Sequence, residues 1–475
     1  MTRGAAKAGV VMAAMAAACT VAGAQISLSS AVDLALRNDP KIKMARADVD
    51  KAKAMLSESK DAFVPAVSTS GGIGKSIGVP LAVPVVFSIT AQSLVINFSQ
   101  INYVRAADAG ADAAGYALAQ VESDVVQDTV NTYISLDNAV QRQKALREAT
   151  DVSGRLVEIV QQRYDAGADP HIEVTKAKRT AAGIRLQSLQ VDNEVDTLSE
   201  HLGHLLGLGH GVETVHDSIP DFGALPEATD KLPESVGMKA ARATTLSKQY
   251  TARGDSRYRL LPQVAFGAGY SRISTVATAY AQYYPGFDPD KHPGISYNSL
   301  DLGVQISVPL LDMLHQAKAR ASKAEAVRAQ FEEENQRMQF VEGRSKALRS
   351  AKELQARAEI ASLDRDLAQD RIDTIELQLK ADAAATDGAQ VMTPKDEQNA
   401  RLDERLKYLD MLSAELQLKQ TELTLMQQNG SMTGWMRSTI SAQPASVPAP
   451  AVPEVTPPAP AGVNQPGVPG VPKPE

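Results

Sequence analysis

The sequence predicts a mainly α-helical chain with a small β part, a tandem repeat of long helical hairpins with two strands in each repeat. Three observations lead there. Apolar residues recur at steps of three and four along segments far longer than an ordinary globular helix. Shorter stretches of strict two-residue alternation interrupt them. The order helix, strands, long helix, break, helix occurs twice. Aromatic residues make up only 4% and the net charge is −7 with acids and bases interspersed, which suits close helix packing and argues against a nucleic-acid partner.

At the start, Arg3 and Lys7 precede a small-residue apolar run from Ala8 to Cys19, and Ala22-Gly23-Ala24 follows. This reads as a Sec-type signal peptide cut after Ala24. That cut removes Cys19, the only cysteine, so the mature chain has no sulfur chemistry. A competing cut before Cys19 would leave a lipid anchor, but Ala16-Ala17-Ala18-Cys19 lacks the usual leucine three residues before the cysteine.

In the first repeat an amphipathic helix from about Ala31 to Asp61 ends at Pro65, and Phe87, Ile89 and Ala91 alternate with Ser88, Thr90 and Gln92. A seam of Val104, Ala107, Ala111, Ala114, Leu118, Val121 and Val125 follows. From Tyr103 to Tyr164 one helix would span roughly 90 Å. A further seam, Val191, Val195, Leu198, Leu202 and Leu205, completes the hairpin. Glycines and prolines then cluster near residues 210 to 232.

The second repeat restates the plan. A helix from about Glu234 to Arg257 ends at Pro262. Val264, Phe266, Ala268 and Tyr270 alternate with small or polar residues, as do Leu300, Leu302, Val304, Ile306, Val308 and Leu310. Long helices run from about Met313 to Ala384, with a seam of Leu314, Ala317, Ala321, Ala324, Val327 and Phe331, and from Pro394 to Gln428, with Leu402, Leu406 and Leu409. Eleven of the 25 prolines fall after Gln443, in a segment of polyproline-like or disordered character. The domains are therefore a signal peptide (1–24), a first repeat (25–211), an equatorial linker (212–232), a second repeat (233–436) and a Pro-rich tail (437–475).

No stretch after Gln25 reaches the roughly 18 uninterrupted apolar residues of a membrane helix, the best being Val79 to Phe87 with Pro80 and Pro84 inside it. The strands remain. They fit either soluble hairpins covered by helices or the wall of a membrane barrel. Four strands cannot close a barrel, because about eight is the smallest workable number. Three copies would give a twelve-stranded transmembrane β-barrel with a continuous lumen, joined to a trimeric α-barrel.

Several segments resemble the TolC-like outer-membrane efflux protein family. Leu28-Ser29 with Ala31-Val32-Asp33-Leu34-Ala35-Leu36-Arg37-Asn38-Asp39-Pro40 is similar to its opening helix with its Asn-Pro stop. Pro65 and Pro262 match its entries to the barrel, Val308-Pro309-Leu310-Leu311-Asp312 an exit, and Arg163-Tyr164-Asp165-Ala166-Gly167 the close of a hairpin tip. The resemblance covers about residues 26 to 435. Two places depart from it. Lys380 stands near the place of the second tip's tyrosine, before a longer turn ending in Thr393-Pro394-Lys395-Asp396-Glu397, and Ile96-Asn97-Phe98-Ser99 lacks the usual acid.

The resemblance implies a homotrimeric exit duct of a tripartite efflux or type I secretion system, set in the bacterial outer membrane and reaching into the periplasm. An inner-membrane pump would supply energy. A periplasmic adaptor would dock on the tips, at Tyr164, Gly167 and Pro170 and at Gly388, Thr393 and Pro394. The rival reading is a periplasmic coiled-coil spacer without a conducting pore.

Asp366, Asp370 and Asp373 share one helix face near the second tip, where three copies would ring a mouth with carboxylates; otherwise they are a solvated face beside Arg365 and Arg371. His201, His204, His210 and His216 crowd sixteen residues. His201 and His204 are weak metal candidates, and capping and packing around the glycine-rich belt is the preferred reading, since no acid or cysteine completes the geometry. The loop Ser274 to Ser299 holds Tyr280, Tyr283, Tyr284, Phe287 and Tyr297, suited to an aromatic interfacial anchor. Nothing resembles a nucleophile elbow, a phosphate loop or a Cys-based site, so the sequence predicts no enzyme and no cofactor.

Overall fold

The computed structural model describes residues 24–72, 85–209, 211–219, 234–258, 261–273, 298–310, 312–382, 392–430, 432 and 434–435. Nearly all of the signal peptide, the aromatic loop, His210, Gly388, most of the linker and the Pro-rich tail lie outside these residues.

The first repeat consists of β1 (Ala24–Ile26), α1 (Leu28–Asn38), α2 (Pro40–Asp61), β2 (Ala66–Gly71), β3 (Val85–Ile96), α3 (Phe98–Asp165) and α4 (His171–Leu206). After β4 (Val212–Thr214) and a 3-10 turn (His216–Ser218) come α5 (Val236–Arg257), β5 (Gln263–Ile273), β6 (Asn298–Ser307), α6 (Met313–Asp382) and α7 (Pro394–Gln428). At 68 residues, α3 extends roughly 100 Å. It packs against α2, α4, α5 and α7, while α6 packs against α5 and α7.

The opening helix is not the one run to Asp61 that its periodicity suggested, but stops at Asn38 as the resemblance implied. It is two helices, broken at Asp39-Pro40. Pro40 lacks the N–H that would continue α1, and Asp39 leaves helical geometry at ψ 126° to cap α2, its carboxylate accepting the Lys41 N–H at 2.6 Å. Nor did any pattern in the sequence mark β1 and β4, which pair in parallel, Ala24 opposite Val212. Three-residue strands carry too little alternation to read.

β1 and β4 close the main core. Leu28, Val32, Val130, Leu202 and Leu206 are buried there around Tyr133. The Tyr133 hydroxyl lies 2.8 Å from Ile26 O and from Ser218 Oγ, and accepts the Val215 N–H at 2.8 Å. One phenol thus ties the N-terminal strand and the segment after β4 to the middle of α3.

The predicted seams divide into two kinds. Val191, Leu202, Leu205 and Leu402 are buried within the chain. By contrast, Leu314, Val327 and Phe331 stand 77%, 52% and 64% exposed, because α6 turns Ser322, Ala326 and Ala329 inward instead. Among the described residues no helix of the same chain covers this second seam.

Candidate functional site

β2, β3, β5 and β6 form one antiparallel sheet in the order β2-β3-β5-β6, with β2 and β6 as its edges. Register sorts the side chains by chemistry. Ile89, Tyr270 and Leu300 lie in one cross-strand row, and Ala91, Ala268 and Leu302 in the next row on the same face. The alternate rows hold Thr90, Gly269 and Asp301, then Gln92, Gly267 and Gly303. Ser68 and Thr90 share a hydrogen bond of 2.8 Å on this polar face, and Ser70 and Ser88 one of 2.7 Å.

The apolar face is bare in a single chain: Leu300, Leu302, Val304 and Ile306 are each 63–70% exposed. Leaving four such side chains in water forfeits roughly 6–12 kcal/mol of burial, comparable with the stability of a whole domain. Among the described residues both edges, β2 and β6, also lack a neighbouring strand. β3, β5 and β6, at 12, 11 and 10 residues, have the length that crosses a bilayer when tilted. Among the described residues, no helix is long and apolar enough to do so.

Where the sheet passes into helices, a polar joint binds three of them. Asn97 caps α3 by accepting the Ser99 and Gln100 N–H groups at 3.0 Å. One turn on, the Tyr103 hydroxyl donates to Asp255 Oδ1 of α5 at 2.5 Å, and Lys318 Nζ of α6 lies 3.3 Å from the same oxygen. Asp255 is buried, and its Oδ2 has no hydrogen-bond partner. Burial first, then the hydrogen bond and charge of Asp255, push the Tyr103 phenol up.

At the opposite end α3 and α4 turn through a left-handed Gly167 at φ +72°. The Gly167 N–H bonds to Tyr164 O and the Ala168 N–H to Arg163 O, each at 2.8 Å. Arg163 grips Asp169 through Nε and Nη2 at 2.9 and 3.2 Å, and Pro170 opens α4. Tyr164 is 40% exposed and meets the His171 ring edge-on at 5.5 Å. At the second tip Thr393 and Asp396 make a capping box, with Pro394 in the first turn of α7.

Lys395 in that turn crosses to the first tip, 3.5 Å from Asp169 and 3.0 Å from Glu173. Arg163 holds the Asp169 carboxyl below its ordinary range, with Lys395 adding to it; Lys176 and then Lys395 do the same for Glu173. Burial alone would lower the Lys395 ammonium, yet Glu173 and Asp169 raise it overall. The sequence offered no hint of this tie, since its partners lie more than 200 residues apart.

Asp366, Asp370 and Asp373 all stand exposed on α6. Arg365 turns away from them, over the Tyr408 ring and 3.7 Å from Glu404 on α7. The histidines do not converge: His201 lies 3.6 Å from Asp128, His216 2.8 Å from Asp137, and His204 is exposed. Among the described residues no group of three or more His, Cys, Asp or Glu side chains could hold a metal ion.

Residues 31–208 match the outer membrane efflux protein family. Protein CyaE of Bordetella pertussis is 25% identical over 189 residues, 38% of this chain, and the match spans 40% of that relative's length. The fold is similar to that of the CmeC outer membrane channel of Campylobacter jejuni (TM-score 0.66, 15% identity, 87% of this chain and 89% of that one). It is also similar to the outer membrane protein VceC of Vibrio cholerae (0.67, 16%, 85% and 96%) and to the MtrE outer membrane channel of Neisseria gonorrhoeae (0.63, 12%, 85% and 89%).

Proposed function

We propose that this chain, a TolC-like outer-membrane efflux protein by the match of its first repeat and the channel fold of its body, is one subunit of a homotrimeric exit duct. The duct conducts small molecules or secreted substrates passively from the periplasm to the exterior. The open amphipathic sheet carries the reading: an apolar face suited to lipid, a polar face suited to a lumen, and two edges left unpaired among the described residues. With β6 of one copy beside β2 of the next, three copies make a closed wall of twelve strands.

The long hairpins carry the lumen down through the periplasm, and their tips, at Tyr164, Gly167, Pro170, Thr393 and Pro394, receive a periplasmic adaptor that links the duct to an inner-membrane pump. Asp366, Asp370 and Asp373 ring the mouth and favour cations. The chain is exported by a signal peptide cut after Ala24. No chemical step and no cofactor enter this reading.

Planar-bilayer recording of the purified trimer tests it. Stepwise conductance is the expected result. A trimer that inserts but never conducts, even with the three aspartates changed to asparagine, would make the chain a spacer. A water-soluble monomer without affinity for detergent would overturn both readings.

A further inference from the structure

Between α5 and α6, on the first turns away from the sheet, lies an open cleft of about 520 Å³. Arg253 and Arg257 line it from α5 and Lys323 from α6, over a floor of Ala252, Ala326 and Val327. Its height is fixed by the chain. Arg257 ends α5 six residues before β5 begins at Gln263, and Lys323 is ten residues, roughly 15 Å, along α6 from Met313.

The cations are not consumed locally. The neighbouring acids face other partners, Asp255 engaging Lys318 at 3.3 Å and Glu325 engaging Lys248 at 3.1 Å. Among the described residues Arg253, Arg257 and Lys323 have no carboxylate within ion-pair distance. Arg253 is instead held 5.3 Å over the Tyr250 ring, which fixes its direction without neutralising it. Three cations without a carboxylate partner among the described residues, just below a sheet with a lipid-facing side, suit the phosphate ester of a lipid in the adjoining leaflet. Long basic side chains reach up from such a position to the headgroup level.

We infer that this cleft binds the phosphate headgroup of an anionic phospholipid from the adjoining leaflet, one per copy, seating the sheet at a fixed depth. The inference rests on the membrane reading of the sheet given above. The phosphodiester takes its hydrogen bonds from Arg253 and Arg257, nearest the sheet, and Lys323 adds charge from below.

Native mass spectrometry of the detergent-solubilised trimer, titrated with dioleoyl phosphatidylglycerol against phosphatidylcholine, tests it. Wild type should retain up to three phosphatidylglycerols per trimer in preference to phosphatidylcholine. The triple variant Arg253→Gln, Arg257→Gln, Lys323→Gln should retain them at least roughly tenfold more weakly, each lost contact being a charge-assisted one. The charge-keeping variant Arg253→Lys, Arg257→Lys controls for folding and should keep most of the retention.

Equal retention in the triple variant overturns the proposal. So does displacement by glycerol phosphate at the same concentration, which would make the cleft a site for soluble phosphate. Loss of the trimer itself in the triple variant, with the charge-keeping variant intact, would assign the cleft to contact between copies. A wild-type trimer that conducts but shows no preference for phosphatidylglycerol removes this inference and leaves the duct standing; failure to insert removes both.

Discussion

Changing Gly254 to alanine exposes how tightly the joint beneath the sheet is built. Gly254 sits inside α5, where alanine ordinarily stabilises a helix by up to about 1 kcal/mol. A Cβ there would lie 2.6 Å from Tyr103 Cε1 and 2.9 Å from Cδ1, closer than carbon atoms tolerate. The ring must move, and its hydroxyl is the donor to the buried Asp255. Overpacking costs about 1–3 kcal/mol. Losing a hydrogen bond to a charged, buried group costs about 1.5–3 kcal/mol. Set against the helix gain, Gly254→Ala should destabilise by about 2–4 kcal/mol.

The control lies on the same kind of helix. At Gly154 of α3 a Cβ would meet nothing within 4 Å, so Gly154→Ala should stabilise slightly. Denaturant midpoints followed by helical circular dichroism compare the two. Tyr103→Ala makes room for the new methyl, so the cost of Gly254→Ala should shrink in that background, a coupling of at least about 1 kcal/mol. Strictly additive effects, or a Gly254→Ala chain as stable as wild type, would refute the packing argument.

Three other outcomes are expected. Lys395→Ala should speed amide exchange in the Arg163–Glu173 turn, and unchanged exchange would mean the tie between tips holds nothing. The carboxyls of Asp169 and Glu173 are depressed below ordinary values of 3.8 and 4.5, so their contribution is present above those values and lost as pH falls through the folded ones. Lys395 is raised above 10.5, so its share persists until strongly alkaline pH; protection of the turn's amides, taken as exchange relative to an unfolded chain at the same pH, should therefore fall below about pH 4 and stay flat from pH 5 to 9. Neutralising Asp366, Asp370 and Asp373 with asparagine should reduce cation preference in bilayer recordings, and an unchanged reversal potential would return them to an ordinary solvated face. Cys19→Ala should leave membrane localisation unchanged. Ile26 is bonded to Tyr133, 35 residues and roughly 52 Å along α3 from Phe98, whereas the seven residues from Cys19 to Ile26 reach at most roughly 25 Å. A lipid at Cys19 recovered by acyl labelling would contradict that geometry.

Period and punctuation made most of the architecture legible. The alternation at Leu300, Leu302, Val304 and Ile306 is a local record of a sheet with unlike faces, and the structure pairs those residues with Tyr270, Ala268, Phe266 and Val264 on one face. The aspartates near the second tip could be placed on one helix face from spacing alone. What spacing cannot carry is partnership. Lys395 has acids on several helices within reach of any plausible hairpin, and only the three-dimensional turn selects Asp169 and Glu173. Tyr103, Gly254, Asp255 and Lys318 look like unrelated surface residues until α3, α5 and α6 converge.

The seam on α6 joins these two kinds of information. Its period was readable, yet among the described residues Leu314 and Phe331 find no cover in their own chain. α6 leaves the sheet from β6, one of its edges; α2, with Met44 and Met55 at 69% and 55% exposed, leads into β2, the other. The unpaired strand edges and the uncovered helix flanks are therefore continuous along the same two borders of the chain. In the proposed trimer a single contact between neighbouring copies, β6 and α6 of one against β2 and α2 of the next, would close the sheet ladder and bury the apolar flank together. Breaking it at the helices, with Leu314→Glu and Phe331→Glu, should leave the chain helical while removing the trimer, and with it every conductance step.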